Sequence, residues 1–445
     1  MGKWTVLRQR LHEAWLYRYG YRWAPRCHQR YIEKLRQRQT PVRVAFFVLN
    51  ISMWKYQGLH DLLRRDERFK VYTVLSPGLG YQTEQQLRDL RQMRQYFSDR
   101  QIDYIDWQLE NGAPPTDIRK TINPDIVVYM QPYHGVYHPL HCFLKFTDRL
   151  ILYTPYSFVQ AQDPYNYDNV MQNIAWKQYF PTDCHIDDAR RLARNKGVNM
   201  VAAGYASADE FLLPPAVPSA APSAVPSAVR PAIVGSPDDT PWLDKPHTRR
   251  RLIWAPHCTL ANDGSVFSRS NFLMMADYMV QLAQRHTNDL QIAFKPHPGL
   301  LTELYKHADW GRERADAYYQ LWRQMPNTQL ADGPFVELFR GSDAMVHDSG
   351  SFVVDYLYFN RPVMYVTRDI QRAKSFVNLP GQEAYDAHYT GATLDDVERF
   401  VDDVVLAGHD TMTSVRQAFF DRFLARPNGK TVAENMYQDI LTSLF

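Results

Sequence analysis

The chain has 445 residues, of which 45% are hydrophobic and 22% are charged, a balance that excludes disordered and membrane-spanning proteins. A prior of about 150 residues per domain predicts two or three domains. The longest apolar runs, such as VAFFVL at 44–49, are far shorter than the roughly 18 residues of a membrane-spanning helix, and no signal-peptide pattern opens the chain. We therefore expect a cytoplasmic protein.

The formal net charge of +3 is unevenly distributed. Residues 1–40 carry ten Lys or Arg against two Glu, and several Trp and Tyr side chains lie between the arginines. Two interpretations fit this segment: peripheral contact with an anionic membrane at the inner face of the cytoplasmic membrane, or a helix docked on the protein itself with a solvated basic face. No nucleic-acid-binding module follows, so we expect no nucleic-acid partner.

The four cysteines are widely spaced, without a CxxC pair: Cys27, Cys142, Cys184 and Cys258. This spacing argues against a disulfide framework and against a zinc site, and it predicts reduced thiols that serve mostly in packing. No cluster of carboxylates demands a magnesium ion. We therefore predict neither a metal nor a cofactor.

Strands and helices alternate from residue 42 onward. The predicted strands of the first half are 42–50, 69–75, 102–107, 124–131, 149–156 and 198–205, and its helices are 54–66, 83–100 and a helix-rich stretch at 187–197. Such alternation predicts a parallel sheet with helices on both faces.

The pattern stops at AVPSAAPSAVPSAV (216–229), a composition that cannot build a core and indicates a linker or an insertion. It then resumes with strands at 250–257, 290–298, 328–332, 343–349 and 362–366, with helices near 268–285, 300–324 and 351–359, and with helices over the last fifty residues. We predict an α/β chain with an N-terminal segment (1–40), a Rossmann-like acceptor domain (41–212), a linker (213–247) and a Rossmann-like donor domain with terminal helices (248–445). A G-x-G-x-x-G fingerprint after the first strand and a Walker loop are both missing, which argues against a dinucleotide dehydrogenase.

Three turns in the second half are polar and follow strands: WAPHCT, KPHPG and HDSGS. Ligands of parallel sheets bind beyond the carboxyl ends of the strands. The turns therefore predict a phosphate-binding rim formed by His257, Lys295, His297, His347, Ser349 and Ser351. For HDSGS alone, a helix cap made by Asp348 and Ser351 is the competing interpretation.

These residues carry a resemblance to a known family. WAPH, KPHP and HDSGSFVVDYLYFNRPVMY, within about 250–366, resemble the motifs of the bacterial CDP-glycerol glycerophosphotransferases, which make teichoic acids and related phosphate-linked capsule polymers. NPDIVVYMQPY, YTPYSF and NMVAAGYASADEF extend the resemblance more loosely into the first half. It implies a GT-B fold, in which two Rossmann-like domains place their parallel sheets around a central cleft.

The resemblance also implies roles for individual residues. Lys295 and His297 would face the phosphates of the nucleotide, Asp348 and Ser351 would line the pyrophosphate, and Asp355 would lie near the donor. The predicted substrate-binding set also includes His257, His347 and Ser349 of the rim and Gly350 of the same turn, and His297 is predicted to be catalytic.

The sequence departs from the family pattern in two places. Ser349 and Gly350 replace a Tyr-Ser pair, and YTPYSF (153–158) occupies the place of the His-Gly-Thr-Pro turn that carries the presumed base. His134 in PYHGVYH is our substitute candidate for the base, with Tyr153 or Tyr156 behind it.

The predicted function is transfer of glycerol phosphate, or a related alditol phosphate, from a CDP-activated donor to a hydroxyl of a growing cell-surface glycan or lipid-linked acceptor, with release of CMP. The alternative is a GT-B glycosyltransferase that uses a nucleotide sugar in capsule or lipopolysaccharide synthesis. A GT-B-like sugar-nucleotide epimerase is disfavoured because its acidic motifs and early Gly-Thr-Arg turn are missing. A non-catalytic glycan-binding module would leave the predicted rim without a purpose.

Overall fold

The computed structural model describes residues 3–80, 83–212, 241–243, 247–260 and 270–445. The described chain forms two compact units: unit 1 draws on Met1–Asp209 and Arg426–Phe445, and unit 2 on the described residues of 210–425. The predicted linker motif at 216–229 lies outside the described residues. Among the described helices, none is long and apolar enough to cross a membrane.

Unit 1 is built on a seven-stranded sheet in the order β3-β2-β1-β4-β5-β6-β7, and every pair of neighbours is parallel. Its strands are β1 (Val42–Val48), β2 (Phe69–Leu75), β3 (Tyr104–Ile105), β4 (Ile126–Tyr129), β5 (Leu150–Tyr153), β6 (Lys177–Phe180) and β7 (Met200–Ala202). The central strands are buried, as expected for apolar runs such as VRVAFFV that are covered on both faces. The sequence analysis missed β6, because Lys-Gln-Tyr-Phe is short and half polar.

The helices of unit 1 begin with the N-terminal segment. In chain order they are α1 (Lys3–Trp15), α2 (Tyr21–Arg36), α3 (Gln57–Arg65), α4 (Thr83–Asp99), α5 (Ile118–Thr121), α6 (Val170–Ile174) and α7 (Asp183–Leu192), with a π-helical turn at Leu16–Gly20; α8 (Ala208–Phe211) begins in unit 1 and ends in unit 2. One face of α2 is buried through Ile32 and Leu35. Buried Asp125 accepts hydrogen bonds from the Tyr31 hydroxyl (2.7 Å) and the Arg38 guanidinium (2.9 Å). The segment is therefore docked on unit 1 by α2.

Unit 2 contains a six-stranded sheet in the order β10-β9-β8-β11-β12-β13, again with parallel neighbours only. Its strands are β8 (Arg250–Ala255), β9 (Leu290–Phe294), β10 (Thr328–Leu330), β11 (Ala344–His347), β12 (Val363–Val366) and β13 (Tyr389–Gly391). Trp254, Phe294 and Trp322 pack together in its core. The three-residue edge strand β13 was not predicted. The two parallel sheets confirm the predicted α/β class.

The described residues of unit 2 form nine further α-helices. They are α9 (Phe272–Arg285), α10 (Leu300–Lys306), α11 (Gly311–Gln324), α12 (Val336–Arg340), α13 (Phe352–Asp355), α14 (Ile370–Ser375), α15 (Leu379–Asp386), α16 (Leu394–Arg399) and α17 (Thr413–Phe419). Helix α13 is short and continues as a 3-10 helix at Tyr356–Phe359.

The last helix, α18 (Val432–Leu444), packs in unit 1, whereas the predicted division placed 248–445 in one domain. The Asp209 carboxylate accepts the N–H groups of Val432 (2.8 Å) and Ala433 (2.9 Å) at the start of α18. Helix α3 approaches this helix so closely that a Cβ on Gly58 would lie 2.7 Å from the Ala433 Cβ. The predicted boundary fails here because these tertiary contacts leave no mark in local periodicity.

Candidate functional site

The sheet of unit 2 brings the three predicted turns to one edge. The chain runs outward from β8 through β9 to β10, then returns to the other side of β8 with β11, so the strand order reverses between β8 and β11. Ligands of open parallel sheets bind at such a switch point, beyond the carboxyl ends of the strands. Ala255 pairs with His347, and Trp254 pairs with Phe294, so all three turns begin at the same level.

Asp348 joins the two sides of this switch point. Its carboxylate accepts the N–H groups of His257 (2.6 Å) and Asn271 (2.5 Å), the residue directly before α9, and it is 2% exposed. Burial raises the pKa of Asp348 to about 6, although these hydrogen bonds favour the charged form. Asp348 thus holds the turn after β8 and the start of α9, and the pyrophosphate contact that the resemblance implied stays a prediction. Sequence reasoning missed Asn271.

His257 and His297 are paired at the edge, with ring centroids 4.7 Å apart. The N–H of Thr259 donates to Nδ1 of His257 (3.3 Å), and the N–H of Gly299 donates to Nδ1 of His297 (3.0 Å). A ring nitrogen that accepts carries no proton, so each neutral ring bears its proton on Nε2. Burial also lowers the pKa of His297, which favours the neutral ring. These paired histidines offer two N–H donors, and neither ring is fully buried.

Lys295 directly follows β9 and is mostly buried. Its ammonium donates to the carbonyl oxygens of Ala331 (3.1 Å) and Gly333 (2.8 Å), in the loop after β10, and the residue is 9% exposed. Burial lowers the pKa of Lys295 to about 8. That this ammonium faces the phosphates of a nucleotide, as the resemblance implied, stays a prediction.

His347 is a core residue, in contrast to its predicted place in the rim. It is 1% exposed, and its ring contacts those of Tyr365 and His388, each with centroids 5.3 Å away. Its Nδ1–H donates to the carbonyl oxygen of Ser349 (3.1 Å). Burial holds the pKa of His347 well below its ordinary value, so the ring is neutral.

The turn before α13 does not cap that helix with its side chains. Ser351 precedes α13, is exposed and makes no capping hydrogen bond, while the Asp348 carboxylate is used elsewhere. Ser349 is 4% exposed and Asp355, at the end of α13, is 5% exposed, so both lie inside the protein. Gly350 is partly exposed. The structure thus departs from the capping interpretation and leaves the Ser351 hydroxyl at the surface.

Cys258 adds a third possible metal ligand beside the paired histidines. One ring nitrogen of His257, one of His297 and the Cys258 sulfur all lie within 4.8 Å of one another, and the three residues are partly exposed. A CxxC spacing search misses this group because its members follow two different strands.

Unit 1 has a switch point of its own, between β1 and β4. His134 lies in the turn after β4, and 39% of its side chain is exposed. Its Nδ1 is 3.3 Å from Oε2 of Glu13 on α1, a partner that no sequence signal indicated. The backbone of Gly135 has φ +88°, which favours glycine at this turn. Tyr153 is 6% exposed, and burial raises its pKa well above the ordinary value; Tyr156 is exposed.

Comparison with known families gives a match over the second half of the chain. Residues 261–442 match the sequence model of the family described as CDP-Glycerol:Poly(glycerophosphate) glycerophosphotransferase. The predicted resemblance is confirmed. This match indicates an enzyme of the glycerophosphotransferase type, and the matched range includes His297 and the HDSGS turn. Among curated protein sequences, none matches this chain.

Several solved structures share the fold over nearly their whole length. A UDP-N-acetylglucosamine 2-epimerase is 13% identical, with 92% of this chain and 96% of that one covered and a TM-score of 0.52. The UDP-GlcNAc 2-epimerase from Neisseria meningitidis bound to UDP-GlcNAc is 11% identical (91% and 99% covered, TM-score 0.50). A variant of the wall teichoic acid polymerase TagF is 12% identical (91% and 90% covered, TM-score 0.52). At such identities the likeness concerns the fold, and it confirms the GT-B type.

Proposed function

We propose that the protein transfers glycerol phosphate, or a related alditol phosphate, from a CDP-activated donor to a hydroxyl of a growing cell-surface glycan or lipid-linked acceptor, and releases CMP. The family match supports glycerophosphate transfer. The observation that carries the proposal is the pair of neutral histidine rings at the switch point of unit 2, which offer two N–H donors to one anion.

In this reaction the acceptor oxygen attacks the phosphorus that bears the glycerol, and the bond from that phosphorus to the oxygen of CMP breaks. Negative charge grows on the leaving phosphate, where preorganised donors are most effective. We assign this role to the Nε2–H groups of His257 and His297, with the exposed hydroxyl of Ser351 as a third donor. We also assign Lys295 a supporting positive charge. Its ammonium is held in place by hydrogen bonds to the Ala331 and Gly333 carbonyl oxygens.

The acceptor hydroxyl must lose its proton during the attack, and we assign this step to His134. A carboxylate beside Nδ1 holds an imidazole with Nδ1 protonated, so that Nε2 is the unprotonated nitrogen that can accept a proton. The Glu13 carboxylate stands in that position, 3.3 Å from Nδ1 of His134. The proton passes from the acceptor oxygen to Nε2 of His134 and then to solvent.

Incubation with a panel of donors tests the reaction. The full chain would be mixed with CDP-glycerol, CDP-ribitol and UDP-sugars, each with a lipid-linked glycan acceptor, and released nucleotides would be separated by chromatography. We expect CMP from a CDP-alditol only when the acceptor is present. Release of UDP from a nucleotide sugar would instead support the glycosyltransferase alternative, and interconversion of UDP-sugars without release would support an epimerase.

We further propose that the protein works in the cytoplasm, peripherally on the inner face of the cytoplasmic membrane. The segment from α1 to α2 exposes large aromatic side chains between basic residues: Trp15 (44%), Tyr17 (40%), Tyr19 (44%) and Trp23 (45%). Aromatic rings favour the lipid headgroup level, and each nearby cation contributes about 1 kcal/mol on an anionic surface.

Vesicle sedimentation tests the membrane contact. Because α2 is docked on unit 1, exposed side chains are better targets than the whole segment. We expect the double variant Trp15→Ser/Trp23→Ser to bind phosphatidylglycerol vesicles more weakly than the wild type, and high salt to weaken both. Equal binding by variant and wild type would contradict the proposal, with neutral phosphatidylcholine vesicles as the control surface.

A further inference from the structure

We infer that His257, Cys258 and His297 form a binding site for a thiophilic divalent metal ion, with Zn²⁺ as its representative. Two imidazoles and one thiol are a ligand set that zinc uses, and three protein ligands leave a fourth position open for water or a phosphate oxygen. One donor atom from each residue lies within 4.8 Å of the other two. Small side-chain rotations suffice for zinc, whose bonds to nitrogen and sulfur are about 2.0 to 2.3 Å long.

The backbone holds the three ligands together. His257 and Cys258 directly follow β8, while His297 follows the neighbouring strand β9, and the N–H of His297 donates to the carbonyl oxygen of Pro256 (3.0 Å). The turn also packs against two of the ligands, because a Cβ on Gly299 would lie in ordinary contact, 3.4 Å from both the Cys258 sulfur and Nδ1 of His297. The cluster thus stands on two paired strands and not on a long loop.

Burial affects the protonation of two of the three ligands. The His297 ring is neutral, as a metal ligand must be, because burial lowers its pKa. Cys258 is a thiol in the absence of metal, since burial raises its pKa, so coordination must release the thiol proton.

Each ring must also exchange a contact for the metal bond. Nδ1 of His257 and Nδ1 of His297 each accept a backbone N–H. If Nε2 binds a metal ion, the proton of the neutral ring must move to Nδ1, and Nδ1 can then no longer accept that hydrogen bond. We therefore expect micromolar rather than nanomolar affinity. Magnesium, which prefers oxygen ligands, should bind far more weakly here.

This metal site shares its rings with the phosphate contacts, a consequence that rests on the proposed function. A ring whose Nε2 holds a metal ion cannot donate Nε2–H to a phosphate. Zinc should therefore lower the affinity for the CDP-activated donor and reduce turnover, although binding of the metal itself does not depend on what the enzyme transfers.

Titration of the reduced full chain with Co²⁺, a spectroscopic substitute for Zn²⁺, tests the site. We expect one ion per chain and a near-ultraviolet sulfur-to-cobalt charge-transfer band that is bleached by equimolar Zn²⁺. Cys258→Ser should lose the band, whereas Cys184→Ser, which changes another partly exposed cysteine, should keep it. His257→Ala should weaken binding at least tenfold. Absence of the band, or its survival in Cys258→Ser, overturns the inference.

A second measurement separates the metal site from the proposed function. Calorimetric affinity for CDP-glycerol would be compared with and without saturating Zn²⁺ in the wild type and in Cys258→Ser. We expect zinc to weaken donor binding at least tenfold in the wild type only. A cobalt band that depends on Cys258, together with unchanged donor affinity, would uphold the metal site and refute the sharing of the rings.

Discussion

The paired histidines, His257 and His297, differ from the core histidines, which we define as His347 and His388, although the unit 2 sheet carries all four. The paired histidines are partly exposed, and each accepts a backbone N–H at Nδ1. The core histidines are 1% and 3% exposed, and each contacts a backbone carbonyl through Nδ1. The pairs therefore carry their protons on opposite ring nitrogens.

This difference shows that a position at the end of a strand is not sufficient for function. His347 closes β11 and points into the core, whereas His257 and His297 lie two and three residues beyond their strands, where the chain has turned outward. Changes at the exposed pair should thus affect turnover and spare stability, and changes at buried polar groups should do the reverse.

His297→Ala should give the largest effect on turnover. Loss of one preorganised donor to a leaving anion commonly costs 100- to 1,000-fold, so we expect CMP release to fall by about that factor. Thermal unfolding should change little, because the ring is only partly buried. His409→Ala, at an exposed histidine of the same unit, is the matched control and should retain turnover. Wild-type turnover in His297→Ala would contradict the functional difference between the paired histidines and the core histidines.

The pH dependence of the free energy of unfolding tests the role of the buried carboxyl group of Asp348. Its pKa of about 6 in the folded protein exceeds the value of about 3.9 in an unfolded chain, so the folded state binds the proton more tightly. The stabilising contribution is fully present below about pH 4 and is lost as pH rises through about 6. At roughly 1.4 kcal/mol per unit, the loss is about 2 to 3 kcal/mol.

Asp348→Asn removes this titration. Chemical denaturation of wild type and variant between pH 4 and pH 7.5 should therefore show the wild type losing about 2 kcal/mol relative to the variant as pH rises. The variant should be less stable at pH 4, since its amide N–H₂ meets the N–H donors of His257 and Asn271. A difference that does not vary with pH would contradict the raised pKa.

The sequence predicted the fold wherever a strand is long and apolar. VRVAFFV and LQIAF could be recognised from composition because both faces of these strands are covered. Strands β6 and β13 were not predicted. Strand β6 has four residues, half of them polar, and β13 is a three-residue strand at the edge of the sheet. The docking of α18 in unit 1 depends on Asp209, which is distant in sequence.

The sequence predicted which residues gather at the site, but not the direction in which each points. Parallel topology alone brings His257, His297 and Asp348 to one edge. The Asp348 carboxylate turns inward and accepts the N–H groups of His257 and Asn271. No local sequence pattern predicts the position of Asn271 beside it. Glu13 and His134 are more than a hundred residues apart, so their contact exists only in the folded chain.

Ser351→Ala distinguishes a surface donor from a helix cap. Because Ser351 makes no capping hydrogen bond, we expect a loss of less than about 0.5 kcal/mol in unfolding free energy, with CMP release reduced about tenfold. Thr393→Ala is the matched control, since Thr393 does cap α16 through the N–H of Asp396. It should lose about 1 kcal/mol of stability and keep its turnover. The opposite result for the two variants would restore the capping interpretation of HDSGS.

Glu13→Gln should give the smallest effect and extends the comparison to unit 1, where an exposed histidine has a carboxylate at Nδ1. The amide can still contact the His134 ring but carries no charge, so we expect CMP release to fall about fivefold, which corresponds to about 1 kcal/mol. Donor affinity measured by calorimetry should not change, because His134 acts on the acceptor. Glu33→Gln, at an exposed glutamate of α2, should behave like the wild type.

If Glu13 acts only through His134, the double variant Glu13→Gln/His134→Ala should be no slower than His134→Ala alone. Multiplied losses in the double variant would show that Glu13 supports α1 and not the base.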